Sequence, residues 1–226
     1  MLTRSDLEAK QPLAPVAGHR VAIARIVERT LAEGPGQRTA VWVQGCSIQC
    51  PGCFNPHLWN GRGGESFAVA DLVALILATG TEGVTFLGGE PFDQAAPLAA
   101  VAEGLQAAGQ SVMTFTGYTL ETLRRVAGQR EDVAELLART DLLADGPFLR
   151  DQLDDTRPWI GSTNQGLHFL SDRLAWAERL ADQTGDTLEV RVRADGQVAV
   201  NGWASSAALE SLLDGLGSRP SPSSTG

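Results

Sequence analysis

Trp42-Val43-Gln44-Gly45-Cys46-Ser47-Ile48-Gln49-Cys50-Pro51-Gly52-Cys53-Phe54-Asn55-Pro56 contains every cysteine of the chain, three within eight positions. Residues this close in sequence do not pair usefully, and an odd number leaves one thiol over, so the set is not a disulfide framework. A C-x3-C-x2-C run instead asks for a metal centre held by the thiolates of Cys46, Cys50 and Cys53, with one coordination position left for something else. Soft sulfur ligands select iron–sulfur clusters or zinc. A cubane 4Fe–4S cluster would use one cysteine per iron and leave the fourth iron open. Zinc would need His57 to complete a Cys3His set, crowding four ligands into twelve residues. The remaining alternative is unligated cysteines packed as small hydrophobes.

The rest of the chain limits the setting. It has 226 residues, 43% hydrophobic and 20% charged, which suits one globular domain with small additions. A formal charge of −9 and a pI near 4.8 argue against a nucleic-acid partner, because phosphate binding needs a basic face. The longest unbroken apolar run, Leu72 to Ala78, is too short to span a membrane. With no apolar signal-peptide core and reduced cysteines, the expected location is the cytoplasm.

Outward from the cysteines, the pattern alternates between strand and helix. Alternation predicts a strand over Arg20–Val27; a Gly/Pro turn follows at 33–38, then a β-branched and aromatic strand over Thr39–Gln44. Ser66 is placed to cap a helix running to Thr79 and stopped by Gly80. Val84–Leu87 reads as a strand buried on both faces. Asp93 is then expected to cap a helix with a Leu98, Val101, Ala102 and Leu105 stripe. A strand follows at Ser111–Phe115, helices at 119–126 and 131–139, and a strand at Asp141–Ala144. Ser171 caps a helix to about Gln183. Thr187–Arg193 and Gln197–Trp203, joined across Asp195-Gly196, form a hairpin. A short helix near 206–215 precedes a Ser/Pro/Gly tail. The expected divisions are a loose segment 1–19, a core 20–185, a hairpin with short helix 186–216, and a disordered tail 217–226. Alternating βαβ units predict a parallel sheet with its glycine-rich motifs along one rim. The pattern is too short for eight strands, so the barrel is partial and open.

Taken together, these motifs resemble a known family. Cys46-x3-Cys50-x2-Cys53 followed by Gly88-Gly89-Glu90-Pro91 resembles the radical S-adenosylmethionine (SAM) superfamily. Gly34-Pro35-Gly36-x-Arg38, Gln44-Gly45-Cys46 and Cys53-Phe54-Asn55-Pro56 are similar to the activating enzymes of glycyl-radical enzymes. Thr116-Gly117-Tyr118-Thr119, Asp145-Gly146-Pro147-Phe148 and Gly161-Ser162-Thr163-Asn164-Gln165 look most like the activating proteins of anaerobic ribonucleotide reductase. The resemblance spans roughly residues 20–170, and the ordered co-occurrence is more specific than any one motif.

The resemblance implies an α/β fold, a partial open (β/α)6-type barrel with a small C-terminal β-hairpin. It implies a 4Fe–4S cluster on Cys46, Cys50 and Cys53, with SAM chelating the open iron. Glu90 and the carbonyls around Gly88-Gly89-Pro91 are candidate acceptors for the SAM amino group. Thr116 and Tyr118 are candidates for its carboxylate or ribose, Asp145 for SAM or a cation, and Ser162 and Asn164 for the methionine or adenosine part. Each has a plainer reading as a turn, a helix cap or an Asx loop. Arg38 is expected at the surface, and Trp42, Trp159 and Trp203 in packing. The implied partners are a glycyl-radical enzyme and an electron donor such as flavodoxin or ferredoxin, without nucleic acid or membrane. Competing readings are a radical SAM enzyme acting on a small molecule or peptide, and a non-enzymatic metal module.

Two features depart from the family pattern. Gly52 stands where many superfamily members carry an aromatic residue, leaving Phe54 to supply a ring beside the adenine. The hairpin at 187–203 goes beyond the shortest activating proteins.

Overall fold

The computed structural model describes residues 5–6, 9–10, 20–181, 187–192, 196, 198–202, 210–211 and 214. Its frame is a seven-stranded sheet in the order β3-β1-β2-β4-β5-β6-β7. The strands are β1 (Arg20–Thr30), β2 (Arg38–Val43), β3 (Glu65–Ala68), β4 (Gly83–Gly88), β5 (Ser111–Phe115), β6 (Leu142–Asp145) and β7 (Gly166–Phe169). β2, β4, β5 and β6 are parallel neighbours, as the βαβ pattern requires. β1 and β3 add antiparallel pairings at one edge, and β7 adds one at the other. The fold is α/β, a partial barrel with a mixed sheet.

The helices are α1 (Val69–Ala78), α2 (Ala95–Ala107), α3 (Leu120–Ala127), α4 (Glu131–Ala138) and the short α5 (Glu178–Ala181). Strand alternation separates two faces. Val41, Val43, Val84, Phe86 and Val112 pack with Leu72, Ile76, Leu98, Leu105 and Leu123 of α1–α3. Ala40, Trp42 and Leu87 point to the opposite face and make a smaller cluster with Val27 and Leu58. That second face carries the cavities described below. No helix among the described residues is long and apolar enough to cross a membrane.

The structure corrects three local readings. Ser66 does not cap α1. It lies in β3, where its Oγ accepts from Arg20 Nε at 2.9 Å, and the helix starts after Ala68 with no side-chain cap. Asp93 does not cap α2 either; it sits in a 3-10 turn, Pro91–Gln94, and bonds to the cysteine loop instead. Arg38 is fully buried rather than on the surface. Its guanidinium donates to Thr85 Oγ1 at 2.8 Å, Pro35 O at 3.2 Å, Ser111 Oγ at 3.0 Å, Val84 O at 2.6 Å and Ser111 O at 3.1 Å. These bonds tie the β1–β2 turn to β4 and β5. Burial lowers its pKa to about 10, so it remains charged at neutral pH.

Past β6, the loop at 150–158 is organised by Asp154. Its Oδ1 accepts from Thr156 N at 2.9 Å, Thr156 Oγ1 at 2.7 Å and Arg157 N at 3.2 Å, and its Oδ2 from Arg157 Nε at 2.6 Å. Burial pushes this carboxyl up, but the bonds from Thr156 and Arg157 outweigh it and hold the pKa below the usual carboxylate range. A depressed folded pKa contributes stability above the unfolded value of about 3.9, and that contribution is lost as pH falls through the folded value. Asp154→Ala is therefore expected to lower the urea midpoint at pH 7, with the gap to wild type narrowing below about pH 4. A gap of constant size down to pH 3 would contradict this role.

Ser171 caps its segment as expected, its Oγ accepting from Arg173 N at 3.3 Å. The first turns are 3-10, Asp172–Ala177, and only then α-helical. The C-terminal hairpin pairs β8 (Leu188–Val192) with β9 (Val198–Gly202). Trp203, the tail 217–226 and most of the helix near 206–215 lie outside the described residues, as do the boundaries drawn at 19, 185 and 216.

Candidate metal centre and adjoining cavity

The cysteine loop leaves the end of β2 and is pinned by backbone bonds. Gly45 N donates to Leu58 O at 2.9 Å and Cys46 N to Trp59 O at 3.2 Å, closing the loop on itself. Gly89 N donates to Val43 O at 2.9 Å and Glu90 N to Gly45 O at 2.8 Å, fixing the end of β4 against it. Cys53 N donates to Cys50 O at 3.0 Å across a tight turn whose Gly52 has φ +85°. That left-handed conformation favours glycine and explains the absence of an aromatic residue there. The Phe54 ring lies beside Phe148, with centroids 5.1 Å apart.

Ser47, between the first two cysteines, is gripped from two sides. Asp93 accepts from Ser47 N at 2.8 Å and from Ser47 Oγ at 2.9 Å, and the Tyr118 hydroxyl lies 2.6 Å from Ser47 Oγ and 3.0 Å from Asp93 Oδ1. Lys10 Nζ donates to Ser47 O at 2.8 Å and also to Ile48 O.

All three cysteines line a cavity of about 130 Å³, together with Gly88, Gly89, Glu90 and Thr116. Cys46 and Cys50 are held well above an ordinary thiol: burial, then the nearby Glu90 carboxylate, pushes Cys46 up to about 12, and burial pushes Cys50 up to about 11. As free groups they are neutral thiols, so metal binding there must release protons. A second cavity of about 380 Å³ shares Cys53, Gly88, Phe115, Phe148 and Gln165 with the first. It runs along the face that carries Trp42 and Leu87, and the β8–β9 hairpin walls its far end.

The 4Fe-4S single cluster domain family matches residues 32–168. The chain belongs to that family. It is 32% identical over 151 residues to the anaerobic ribonucleoside-triphosphate reductase-activating protein of Salmonella typhimurium, covering 62% of this chain and 93% of the relative. The protein of the same name from Escherichia coli K12 is 32% identical over 149 residues, covering 62% and 93%. That of Enterobacteria phage T4 is 28% identical over 155 residues, covering 66% and 94%. Among solved structures, QueE from Escherichia coli overlaps 43% of this chain and 53% of its own at 22% identity, with a TM-score of 0.38, too partial a superposition to carry an argument. The chain is a member of the radical SAM superfamily, closely related to the reductase-activating proteins.

The donor set suits the cluster that the family name carries. Three thiols face one small cavity, and soft thiolates are the ligands such clusters take. His57 is exposed and lines neither cavity, so the Cys3His zinc set is not assembled. Among the described residues, no group of three or more His, Cys, Asp or Glu is arranged to hold a single metal ion.

The structure spreads the other sequence-predicted residues over several tasks. Gly88, Gly89, Glu90 and Thr116 line the small cavity, and Gly88 and Phe54 the large one. Glu90 is 1% exposed and already accepts from Phe92 N at 3.0 Å, Thr116 Oγ1 at 2.8 Å and Gly117 N at 2.8 Å. Burial, then the Asp93 charge, raises its pKa. Pro91 opens the 3-10 turn, and Tyr118 is buried against Ser47. Asp145 accepts from Leu120 N at 2.6 Å and Gly166 N at 3.1 Å, and lies 2.9 Å from His168 Nε2. Ser162 Oγ accepts from Leu149 N at 3.1 Å, and Asn164 Nδ2 donates to Pro147 O at 2.8 Å. Pro91, Tyr118, Asp145, Ser162 and Asn164 line neither cavity.

Sequence reading passed over Gln165, which lines both cavities and donates from Nε2 to Gly146 O at 2.9 Å. It lay inside a quoted motif. Its side chain is set by loop bonds that local patterning does not show, Oε1 accepting from Gly161 N at 2.9 Å and Ser162 N at 3.1 Å.

Gly89 gives the closest approach in the site. A Cβ there would stand 2.0 Å from Gly45 O. Gly89→Ala is expected to push β4 away from the cysteine loop, costing about 1–3 kcal/mol in urea denaturation and lowering iron retained per chain after reconstitution. Unchanged stability with full iron loading would show that this contact does not set the loop.

Proposed function

We propose that the chain is a glycyl-radical-enzyme activating enzyme whose target is an anaerobic ribonucleotide reductase. The observation that carries this reading is the cavity lined by Cys46, Cys50, Cys53 and Gly88-Gly89-Glu90, which shares Cys53, Gly88, Phe115, Phe148 and Gln165 with a second cavity of about 380 Å³. The names of the relatives support the choice of partner.

Cys46, Cys50 and Cys53 would hold a 4Fe–4S cluster and leave one iron open to the SAM amino and carboxylate groups. Bound there with SAM and reduced by a flavodoxin- or ferredoxin-type donor, the cluster would supply one-electron reductive cleavage of SAM for hydrogen-atom abstraction from a partner glycine. The chain's own residues supply placement. Carbonyls around Gly88-Gly89 and the Glu90 loop offer acceptors for the amino group, and glycine lets that backbone come close. Thr116 Oγ1 donates to Glu90 at 2.8 Å and ties its loop to the end of β5. Phe54, Phe148 and Phe115 give apolar walls beside Cys53. Asp93 and Tyr118 act as positioning residues through Ser47, and Asp145, Ser162 and Asn164 hold the outer loops rather than touching SAM. The proposed setting is the cytoplasm.

The test mixes reconstituted protein, SAM and reductant with the anaerobic ribonucleoside-triphosphate reductase of the same genome. A glycine-centred doublet in electron paramagnetic resonance supports the proposal. No doublet, together with turnover of a small molecule, would move the assignment to a different radical SAM chemistry.

A further inference from the structure

The β8–β9 hairpin lies beyond residues 32–168, where the family match ends, yet Leu188, Val200, Asn201 and Gly202 wall the 380 Å³ cavity. The hairpin is fastened to the end of the sheet remote from the cysteines. Asn201 Nδ2 donates to Thr30 Oγ1 at 2.9 Å and to Glu189 Oε2 at 3.3 Å, and Gly202 N donates to Glu33 Oε1 at 2.9 Å. Thr30 pairs with Arg38 at the start of β2, whereas the cysteine loop follows Val43 at its end. The cavity therefore lies between the cysteine loop at one end of β2 and the hairpin at the other, a strand about 17 Å long.

At the hairpin end one polar atom is left over. Asn201 is 5% exposed, and its Oδ1 is buried without a hydrogen-bond partner. The amide cannot be turned to relieve this, because the Glu189 carboxylate accepts only and needs the Nδ2 side. A buried acceptor left unmade costs about 1–3 kcal/mol, so an occupant bearing an N–H gains by meeting it. The surrounding wall sets apolar Leu188, Val200, Leu87 and Trp42 beside one side chain of each charge, Arg25 and Glu33, which suits an occupant whose N–H groups carry no net charge. An occupant that touches Asn201 while its reacting atom lies near Cys53 must be long and narrow. An extended polypeptide of about five residues has that reach and carries neutral N–H groups along it.

We propose that the hairpin is the specificity wall for the polypeptide substrate, with Asn201 Oδ1 accepting from a main-chain N–H of the inserted segment. This rests on the activating-enzyme reading. It predicts that the hairpin governs how well the partner segment is held, rather than how fast the bound segment reacts.

The experiment first measures reductive SAM cleavage by the wild-type holoprotein without reductase; its absence removes the activating-enzyme reading itself. Glycyl-radical formation is then followed against concentration of the reductase for wild type, Asn201→Leu and Val200→Phe. Asn201→Leu removes the acceptor together with the Nδ2 bonds to Thr30 and Glu189, whereas Val200→Phe narrows the channel while leaving those bonds in place. Both are expected to raise KM for the reductase, up to about tenfold for the lost hydrogen bond, with the rate at saturation held within about twofold. Equal KM values in all three proteins, or a fall in the saturated rate alone, would overturn the proposal and leave Asn201 to a bound water. Wild-type SAM cleavage without radical transfer to the reductase would overturn the polypeptide occupant.

Discussion

Cys50→Ala, reconstituted anaerobically, is expected to lose the brown 4Fe–4S chromophore and to cleave no SAM, while circular dichroism keeps the wild-type helix and strand content. The effect is large because Cys50 is one of the three cysteines that line the small cavity. His57, the nearest alternative donor in sequence, is exposed and outside that cavity. With two thiolates remaining, two irons of a cubane would lack protein ligands, and soft-metal affinity depends on that count. The fold should survive because the loop is pinned elsewhere. Gly45 and Cys46 bond to Leu58 and Trp59, and Asp93 and Tyr118 hold Ser47. Cys50 itself is 8% exposed and packs in the main core, so a truncation there costs a small cavity rather than the sheet. Retained cleavage at the wild-type rate would mean that the thiols are not the centre of the chemistry.

Arg38→Ala is expected to cost about 4 kcal/mol in urea denaturation of the apoprotein, a large share of the 5–15 kcal/mol that holds a typical domain together. The side chain makes five hydrogen bonds at no exposure, and removal leaves acceptors on Pro35, Val84 and Ser111 facing a void. Arg38→Lys should recover little. A lysine ammonium is a single point of charge and does not reproduce the planar fork that reaches Thr85 and Pro35 at once. Gly34 is part of the same arrangement, since a Cβ there would stand 2.7 Å from Arg38 Cδ. A loss under about 1 kcal/mol would show that the turn and strands hold together without the guanidinium.

Much of this was legible in the sequence because it rests on local patterns. The parallel strands β2, β4 and β5 announce themselves as apolar runs closed by glycine or polar motifs. The hairpin is marked by Asp195-Gly196, and the helices α3 and α4 by their spacing. Strands β3 and β7 were not legible: each has four residues, no buried alternation, and exists through pairing with β1 or β6. Ser66 and Asp93 look like helix caps in sequence because caps and loop ties use the same side chains. Arg38 reads as a surface residue because its acceptors come from three separate segments.

The candidate site divides in the same way. The cysteines, Gly88-Gly89-Glu90 and Thr116 line one cavity. Tyr118, Asp145, Ser162 and Asn164 belong to the same motifs but turn toward backbone and neighbouring loops. A motif records that a loop is built in a certain way, and only the geometry separates its wall from its struts.

The most direct measurement is product analysis of the reconstituted wild-type protein with SAM and dithionite under anaerobic conditions. Three sulfurs leaving one iron open should give 5′-deoxyadenosine and methionine in equal amounts, at a rate that rises with cluster content. A fully loaded 4Fe–4S protein that forms neither product would contradict the account.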